Sequence, residues 1–216
     1  MNPMNYIMSF RDETILRTAS DDIRLRSFCS ADEIRKYAFD EEFGRHAQYR
    51  SLYTKKESLE KDAKREGVNV VLAVDPKETI IGFGVLDFPE AGERWLDMGP
   101  RLMMELKVIE VCRRWRSSGL ASEIMQLLVA HDEINDMILY LVGYSWTWDL
   151  DGTEKTAQAY RKMLINLFEP HGFEELQTNE PNICLKPENI FMARIGERIS
   201  DDVKTQFKWL RFGVTP

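Results

Sequence analysis

Three apolar runs between residues 68 and 112 predict a fold built around a β-sheet. The first run, VNVVLAV, and the second, TIIGFGVLDF, are separated by the turn sequence DPKE. Residues such as Val, Ile and Phe are enriched in strands, so two such runs joined by a short turn predict a hairpin of adjacent strands. The third run, RLMMELKVIEVC, predicts a long strand that follows a loop containing Pro and Gly.

The rest of the chain alternates between strand and helix patterns. Strands are predicted for DDIRLRSF and DMILYLVGY, and two closing strands for GFEELQT and NIFMARIG. Helices are predicted after Ser30, which has Glu33 three positions on, and over residues 57–66, 117–131, 153–168 and 200–211. This order predicts an α+β fold: a mixed, largely antiparallel sheet flanked by helices in a single domain.

Composition argues against several classes of function. The net charge is −7 and the sequence pI is about 5.2, whereas nucleic-acid-binding proteins usually carry a net basic face. The apolar stretches are too short to span a membrane, and the N-terminal residues are too charged for a secretory signal. We therefore expect a cytoplasmic protein with no nucleic-acid partner and no membrane partner.

The cysteines and histidines indicate neither a disulfide framework nor a metal site. Cys29, Cys112 and Cys184 are widely spaced, form no CxxC pair and are odd in number. The histidines show no metal-ligand spacing, so no metal is expected. We interpret Cys112 as a buried strand residue rather than as a nucleophile.

The junction that follows the third apolar run has the composition of an anion site. Residues 110–125 read EVCRRWRSSGLASEIM, so a strand gives way to arginines, small residues and then a helical pattern. Backbone N–H groups at a helix N-terminus point outward without partners, and the helix dipole adds partial positive charge. Neither a Walker loop nor a Rossmann fingerprint is present. The pattern is equally compatible with a phosphate site and with a tight turn capped by a solvated arginine cluster.

The same residues carry a resemblance to a known family. The segment from Val111 to Ala121 resembles the acetyl-CoA loop, [Q/R]-x-x-G-x-[G/A], of the GNAT N-acetyltransferase superfamily. More narrowly, the chain resembles the acetoin utilization acetyltransferases in five segments that occur in the right order: GERW (92–95), VIEV (108–111), SWTWDLDG (145–152), AYRKM (159–163) and ARIG (193–196). The resemblance places the acetyltransferase core at residues 66–212, with residues 1–65 as a loosely placed N-terminal part of the same domain.

The resemblance implies a protein lysine acetyltransferase with acetyl-CoA as its co-substrate. Acetyltransferases of this type modify acetyl-CoA synthetase at its active-site lysine and switch that enzyme off, so acetyl-CoA synthetase is the implied partner. By the same resemblance, one part of the loop would face the pantetheine arm: Val111, Cys112 and Arg113. The other part would wrap the pyrophosphate: Arg116, Ser117, Ser118, Gly119, Leu120 and Ala121.

Two glutamates are candidates for the general base. Only about one lysine in a thousand is neutral near pH 7.4, so a base must remove a proton before acyl transfer. Glu110 is favoured because it lies among apolar residues just before the loop, where burial would raise its pKa. Glu105 is the rival, because some histone-type acetyltransferases place their base fourteen residues before the loop glycine. A third possibility is that neither glutamate is the base.

The general acid and the acceptor site are less well defined. Many GNAT enzymes have a tyrosine four residues before a Gly-Phe pair, but here that position holds Phe168, which leaves Tyr160, Tyr144 or a water as the acid. Trp146 and Trp148 alternate, which predicts that both face the same way from an extended segment. We interpret them, with the adjacent Asp149, either as an aromatic lip that binds the acceptor or as core residues.

Two other functions remain open from the sequence. The cofactor loop does not identify the acceptor, so a small-molecule amine N-acetyltransferase is the first alternative. A non-catalytic regulator that binds acetyl-CoA is the second alternative.

Overall fold

The computed structural model describes residues 11–18, 21–45 and 53–214. In this part of the chain, the strands are β1 Glu13–Arg17, β2 Asp22–Arg26, β3 Ala38–Phe39, β4 Asn69–Val74, β5 Thr79–Asp87, β6 Met103–Val111, β7 Ile138–Gly143, β8 Glu174–Glu175 and β9 Ile190–Ile195. The helices are α1 Ala31–Lys36, α2 Glu42–Arg45, α3 Lys56–Asp62, α4 Leu120–Leu128, α5 Leu150–Thr153, α6 Ala157–Phe168, α7 Pro181–Cys184 and α8 Asp201–Leu210. None of these helices has the length and hydropathy needed to cross a bilayer.

The strands form one continuous sheet. Its order is β1-β2-β4-β5-β6-β7-β9-β8, and the short β3 pairs separately with β5. Most neighbours are antiparallel, but β6 and β7 are parallel, as are β3 and β5. The α+β class and the largely antiparallel sheet are therefore confirmed.

Local sequence signals explain several elements. The β4–β5 hairpin forms as predicted, and Asp75 accepts hydrogen bonds from turn N–H groups at 2.9 Å. The capping box at α1 is present: Ser30 accepts the N–H of Glu33, and Glu33 accepts the N–H of Ser30. Ser200 caps α8 in a similar way by accepting the N–H of Val203.

Two glycines let α4 approach the sheet closely. A Cβ atom at Gly84 would lie 2.7 Å from carbons of Ile124 and Leu128. At Gly82, a Cβ atom would lie 3.2 Å from Ile124. Protein interiors are close-packed, so a larger residue at Gly84 would displace α4. The helix that follows the proposed anion loop is thus fixed directly against β5.

A second apolar cluster packs on the face of the sheet opposite the main core, because it contains alternate residues of β7 and β9. Trp95 stacks on Phe191 with 5.3 Å between ring centroids, and its ring also packs against those of Tyr140 and Phe207. Phe207 belongs to α8, so the C-terminal helix covers this face of the sheet. The cluster fixes residues 92–95 beside the sheet.

Several predicted boundaries were wrong. The helix predicted over 117–131 begins only at Leu120, because Gly119 has a left-handed φ of 86° and ends the loop as the N-cap. The predicted GFEELQT strand has only two paired residues. The β1 strand was not predicted. Residues 1–10, 19–20, 46–52 and 215–216 lie outside the described residues, as do the parts of the N-terminal predictions that fall on them.

Candidate active site

A cavity opens where two neighbouring strands separate. β6 and β7 pair only from Met103 to Glu105 against Ile138 to Tyr140, although both strands continue beyond these residues. The cavity has a volume of about 590 Å³ and is lined by residues 105–110 of β6 and residues 140–143 of β7. The backbone edge of β6 beyond Glu105 thus faces the cavity instead of a β7 strand partner. Amide groups of a ligand can pair with such an edge.

Both candidate bases lie on β6 and reach the same cavity. Glu105 and Glu110 both line it, and Glu110 is buried. Burial raises the pKa of Glu105 to about 7, and the negative charge of Glu93 adds to the rise, whereas Lys107 opposes it. A carboxyl group with a pKa near neutrality can exchange a proton at physiological pH. The sequence favoured Glu110 as the base; Glu105, the rival candidate, has a pKa suited to that role.

Lys107 lies beside Glu105 on β6 but bonds to other carboxylates. Its Nζ atom lies 2.7 Å from Glu90 and 3.4 Å from Asp87. Asp87 is fully buried and is also paired with Arg65. The nearest cation on β6 is therefore engaged away from the Glu105 carboxylate.

The loop after β6 has the backbone expected of an anion site. Ser117 and Gly119 have left-handed φ angles of 62° and 86°. Within the described chain, the N–H groups of residues 117–121 have no protein acceptor. Successive N–H groups in such a conformation form a concave site for anions. The predicted pyrophosphate residues thus have free backbone donors.

The arginine side chains of the loop are engaged within the protein, a role that the sequence did not predict. Arg113 donates two hydrogen bonds to Asp149, at 2.8 and 2.6 Å, and Arg116 donates one to Asp149 at 2.7 Å. Burial of Asp149 works against ionisation, but hydrogen bonds from Arg113 and Arg116 outweigh it and lower its pKa to about 2. Asp149, predicted as an acceptor-binding residue, ties residues 145–153 to the cofactor loop. We call this contact the Asp149 clasp.

Two acidic residues from the N-terminal part also contact the loop. Asp40 pairs with Arg114, and Glu42 accepts the backbone N–H of Arg113. The N–H of Cys112 bonds to Ile81 on β5 at 2.9 Å. Two of the three N–H groups from Val111 to Arg113 are therefore used inside the protein, so a pantetheine arm would pair with earlier residues of β6.

Among the described residues, one group has the composition of a metal site. Asp40, Glu42 and Cys112 place ligand atoms within 4.8 Å of one another. Each carboxylate already binds a group of the loop, and burial raises the pKa of Cys112, which keeps its thiol protonated. A protonated thiol is a poor metal ligand. We interpret the group as a structural contact that holds the loop.

The cavity end beside α6 is apolar and aromatic. Tyr160 and Phe168, both on α6, line the cavity, and Tyr160 stacks on Trp148 with 5.2 Å between ring centroids. Burial raises the pKa of Tyr160, which keeps its phenol protonated. Phe168 occupies the position of the usual GNAT acid and carries no acidic proton. Tyr160 lies earlier on the same helix, lines the same cavity and carries a phenolic proton.

The two tryptophans do not face the same way. Residues 145–147 form a single 3-10 turn, so the prediction of an extended segment was wrong. Trp148 is 9% exposed and packs on Tyr160, whereas Trp146 is 42% exposed and stacks on Tyr144 at 4.6 Å. Asp149 accepts the N–H of Gly152 at 3.0 Å and turns the chain into α5. Trp148 lines the cavity, and Trp146 lies outside its lining.

Comparison with known proteins agrees with this geometry. No family model matches the chain. The acetoin utilization protein AcuA of Bacillus subtilis is 27% identical over 197 residues, which cover 91% of this chain and 92% of AcuA. A crystal structure of an acetoin utilization protein from Exiguobacterium sibiricum has a TM-score of 0.86 at 23% identity, covering 94% of this chain and 95% of that one.

The wider fold family is also represented among solved structures. The loading GNATL domain of CurA from Lyngbya majuscula has a TM-score of 0.50 at 11% identity, covering 82% of this chain and 99% of that domain. At such identities, structural similarity establishes the fold alone. The resemblance deduced from the sequence is confirmed: this chain has the GNAT acetyltransferase fold and resembles the acetoin utilization protein AcuA over nearly its whole length.

Proposed function

We propose that this protein is an acetyl-CoA-dependent protein lysine N-acetyltransferase and that acetyl-CoA synthetase is its acceptor. The observation that carries the proposal is the separation of β6 from β7, which opens a cavity along β6 from Glu105 to Glu110, just before the anion loop in the chain. A thioester bound along the edge of β6 would reach Glu105 with its acyl group, while the N–H groups of residues 117–121 bound the pyrophosphate.

Glu105 is proposed as the general base. The acceptor arrives as an ammonium ion, and its N–H bond breaks as an O–H bond forms on the Glu105 carboxylate. The neutral amine then attacks the thioester carbonyl and forms a tetrahedral oxyanion. A backbone N–H group of β6 beyond Glu105 is the proposed donor to that oxyanion. This assignment differs from the Glu110 assignment favoured by the sequence.

Tyr160 is proposed as the general acid. Collapse of the tetrahedral intermediate breaks the C–S bond, and the electron pair leaves with the sulfur of CoA. The Tyr160 phenol, whose pKa burial raises, donates its proton to that thiolate and regains one from the amide nitrogen through solvent. The products are an acetylated lysine and CoA with a free thiol.

The acceptor is proposed to be a protein because of the aromatic surface on residues 144–148. Tyr144 lines the cavity, and Trp146 extends the surface outward while Lys186 lies 4.8 Å from its ring. Exposed aromatic residues are enriched at the centres of protein interfaces. The identity of the acceptor as acetyl-CoA synthetase rests on the resemblance to AcuA.

Acceptor identity is tested by CoA release from acetyl-CoA with a panel of acceptors. The panel contains acetyl-CoA synthetase, its variant without the active-site lysine, a polyamine, an aminoglycoside and free lysine. Release that requires the active-site lysine supports the proposal. Release with small amines alone indicates a small-molecule acetyltransferase. Acetyl-CoA binding without release on any acceptor indicates a regulator, and both of these outcomes contradict the proposal.

The cofactor site is tested by calorimetry with acetyl-CoA. Gly119→Glu is expected to abolish binding, because it adds negative charge and bulk where the N–H groups of the loop converge. Gly99→Glu is the matched control, since Gly99 also has a positive φ, and open space surrounds its missing Cβ. Unchanged affinity in Gly119→Glu, or equal losses in both variants, would contradict the loop assignment.

A further inference from the structure

The GERW segment forms the wall of the cavity opposite the apolar α6 end. All of its residues, Gly92 to Trp95, line the cavity, although none takes part in a step of the reaction proposed above. Trp95 is buried in the second apolar cluster, which anchors the segment. The side chain of Glu93 is therefore presented to the cavity from a fixed backbone.

Glu93 is oriented by a buried tyrosine. The Tyr140 hydroxyl donates a hydrogen bond to Oε2 of Glu93 at 2.8 Å. Tyr140 is 1% exposed, and its ring packs against Trp95 and Phe191 with centroid distances of 5.0 and 6.3 Å. In the β6–β7 ladder, Tyr140 is also the register partner of Glu105. Tyr140 thus stands between the two carboxylates where the strands separate.

In the described part of the chain, the nearby arginine and lysine side chains form no ion pair with Glu93 or Glu105. Arg94 follows Glu93 in the chain but bonds to Glu180 at 2.9 Å and to Asn179 at 2.6 Å. Lys107 bonds to Glu90 and Asp87. The charged and titratable groups around Glu105 are Glu93, Lys107, Glu90, Asp87, Tyr53, Tyr140 and Tyr144. Among the described residues, no ion pair joins Glu93 or Glu105 to a cation within the 4 Å limit for such pairs.

We propose that Glu93, oriented by Tyr140, is the binding residue that receives the acceptor ammonium and presents it to Glu105. This inference rests on the proposed function and adds a residue to the acceptor site. Two carboxylates with no cation of their own complement a primary ammonium, and the bound cation replaces the missing ion pairs. The proton passes to Glu105, while Glu93 retains its hydrogen bond from Tyr140.

The proposal also explains why the two carboxylates differ in role. Glu93 accepts a hydrogen bond from Tyr140, whereas no such donor to Glu105 is present among the described residues. A neighbouring negative charge opposes ionisation of a carboxyl group, and the charge of Glu93 acts on Glu105 in this way. Glu93 is therefore held in a fixed orientation to bind a cation, and Glu105 is suited to accept a proton.

Glu93→Gln and Tyr140→Phe test the proposal against Asp97→Asn. Asp97 lies in the 3-10 turn Arg94–Met98, which directly follows Glu93, but outside the cavity lining, so its variant controls for a change of charge on the segment. Glu93→Gln is expected to raise the KM for the amine at least tenfold and leave the KM for acetyl-CoA unchanged. Tyr140→Phe, which keeps the ring packing, is expected to raise the amine KM by a smaller factor. Unchanged amine KM values in both variants would overturn the proposal.

The pH dependence of kcat/KM distinguishes the proposed role of Glu93 from a purely structural one, because a structural role would not shift it. Removing the negative charge of Glu93 lowers the pKa of Glu105, so the acidic limb of kcat/KM is expected to move to lower pH in Glu93→Gln. Carboxyl ¹³C NMR titration of Glu105 in the ligand-free protein measures the same shift without turnover. An unchanged Glu105 titration overturns the inference, whatever the activity.

The two proposals can fail separately. A wild-type protein that acetylates its acceptor, combined with an unaffected amine KM in Glu93→Gln, would contradict the Glu93 role alone. A wild-type protein that neither binds acetyl-CoA nor releases CoA would contradict the proposed function and, with it, the acceptor role of Glu93.

Discussion

The two ends of the proposed reaction site contain carboxylates whose pKa values are shifted in opposite directions. At the cofactor loop, Asp149 receives hydrogen bonds from Arg113 and Arg116, and its pKa falls to about 2. At the other end, burial and the charge of Glu93 raise the pKa of Glu105 to about 7. Both side chains are removed from much of the solvent, so burial alone does not decide the outcome. The presence or absence of a cationic partner decides it.

This contrast assigns different tasks to the two regions. A carboxylate that remains ionised at every physiological pH can hold a loop in place, but it is a poor proton acceptor. A carboxylate that titrates near pH 7 can accept a proton, but its ionised form destabilises the fold. The proposed cofactor end, at Asp149, is therefore suited to hold the loop in place, and the proposed acceptor end, at Glu105, is suited to proton transfer.

The largest expected effect is on the rate at the acceptor end. Glu105→Gln keeps the shape of the side chain and removes its basicity, so kcat is expected to fall by about 10²–10⁴-fold. The affinity for acetyl-CoA, measured by calorimetry, should be unchanged because the loop is untouched. Near-normal kcat in this variant would contradict the role of Glu105.

Glu110→Gln is the matched variant for that experiment. Glu110 lies on the same strand and lines the same cavity. A loss of kcat in Glu110→Gln with normal kcat in Glu105→Gln would restore the assignment favoured by the sequence. Normal kcat in both variants would mean that the reaction needs no carboxylate base on β6.

The next effect concerns stability at the cofactor end. Asp149→Asn removes the charge that pairs with Arg113 and Arg116 and is expected to lower the free energy of unfolding by about 3 kcal/mol, the cost of breaking a largely buried pair. Urea unfolding at pH 7 measures the loss. Asp132→Asn is the control, because Asp132 is 80% exposed in its pair with Arg198 and should cost under about 1 kcal/mol.

The pH dependence of the Asp149 loss tests its cause. A depressed pKa contributes stability above the pKa of the unfolded state, about 3.9, and loses it as the pH falls through the folded value of about 2. The difference in unfolding free energy between wild type and Asp149→Asn should therefore be constant above pH 5 and shrink below pH 4. A difference that persists unchanged towards pH 2 would point to altered packing instead of lost charge.

The contrast between the ends also marks what the sequence could predict. The hairpin, the capping box at Ser30 and the small-residue loop at Gly119 depend on near neighbours, and local patterns predicted each of them. The Asp149 clasp joins residues 33 to 36 positions apart, and Asp40 meets Arg114 across 74 positions. No local pattern reports such pairings. The same limit explains why alternating tryptophans predicted an extended segment where the chain forms a 3-10 turn.

The next effect, smaller than the loss in Glu105→Gln, is the dependence of kcat/KM on pH. With Glu105 ionised and the amine protonated in the reactive complex, kcat/KM should rise about tenfold per pH unit up to about pH 7 and then level off. In Glu105→Gln, only the minor neutral amine reacts, so the rate should continue to rise towards the lysine pKa of about 10.4. A wild-type profile without a break near pH 7 would contradict the assignment.

The free energy of unfolding should also depend on the ionisation of Glu105. Ionised Glu105 should lower this free energy, whereas ionised Asp149 raises it. The folded-state pKa of Glu105 lies above the unfolded value of about 4.3, so the stability that its protonation provides is lost as the pH rises through 7. Glu105→Gln is therefore expected to unfold at higher urea concentration than wild type at pH 8 and at a similar concentration at pH 4. Equal midpoints at both pH values would mean that Glu105 is not held against its ionised form.

The smallest expected effect concerns the outer edge of the acceptor end. Trp146 is 42% exposed, and Trp209 on α8 is 44% exposed, so truncating either should cost little stability. Trp146→Ala is expected to raise the KM for a protein acceptor a few-fold, by removing about 1 kcal/mol of aromatic contact, and to leave the KM for a small amine unchanged. Trp209→Ala should change neither value. Equal losses on the protein and the small amine would mean that Trp146 supports the cavity instead of contacting the partner, and the aromatic surface would then belong to the fold.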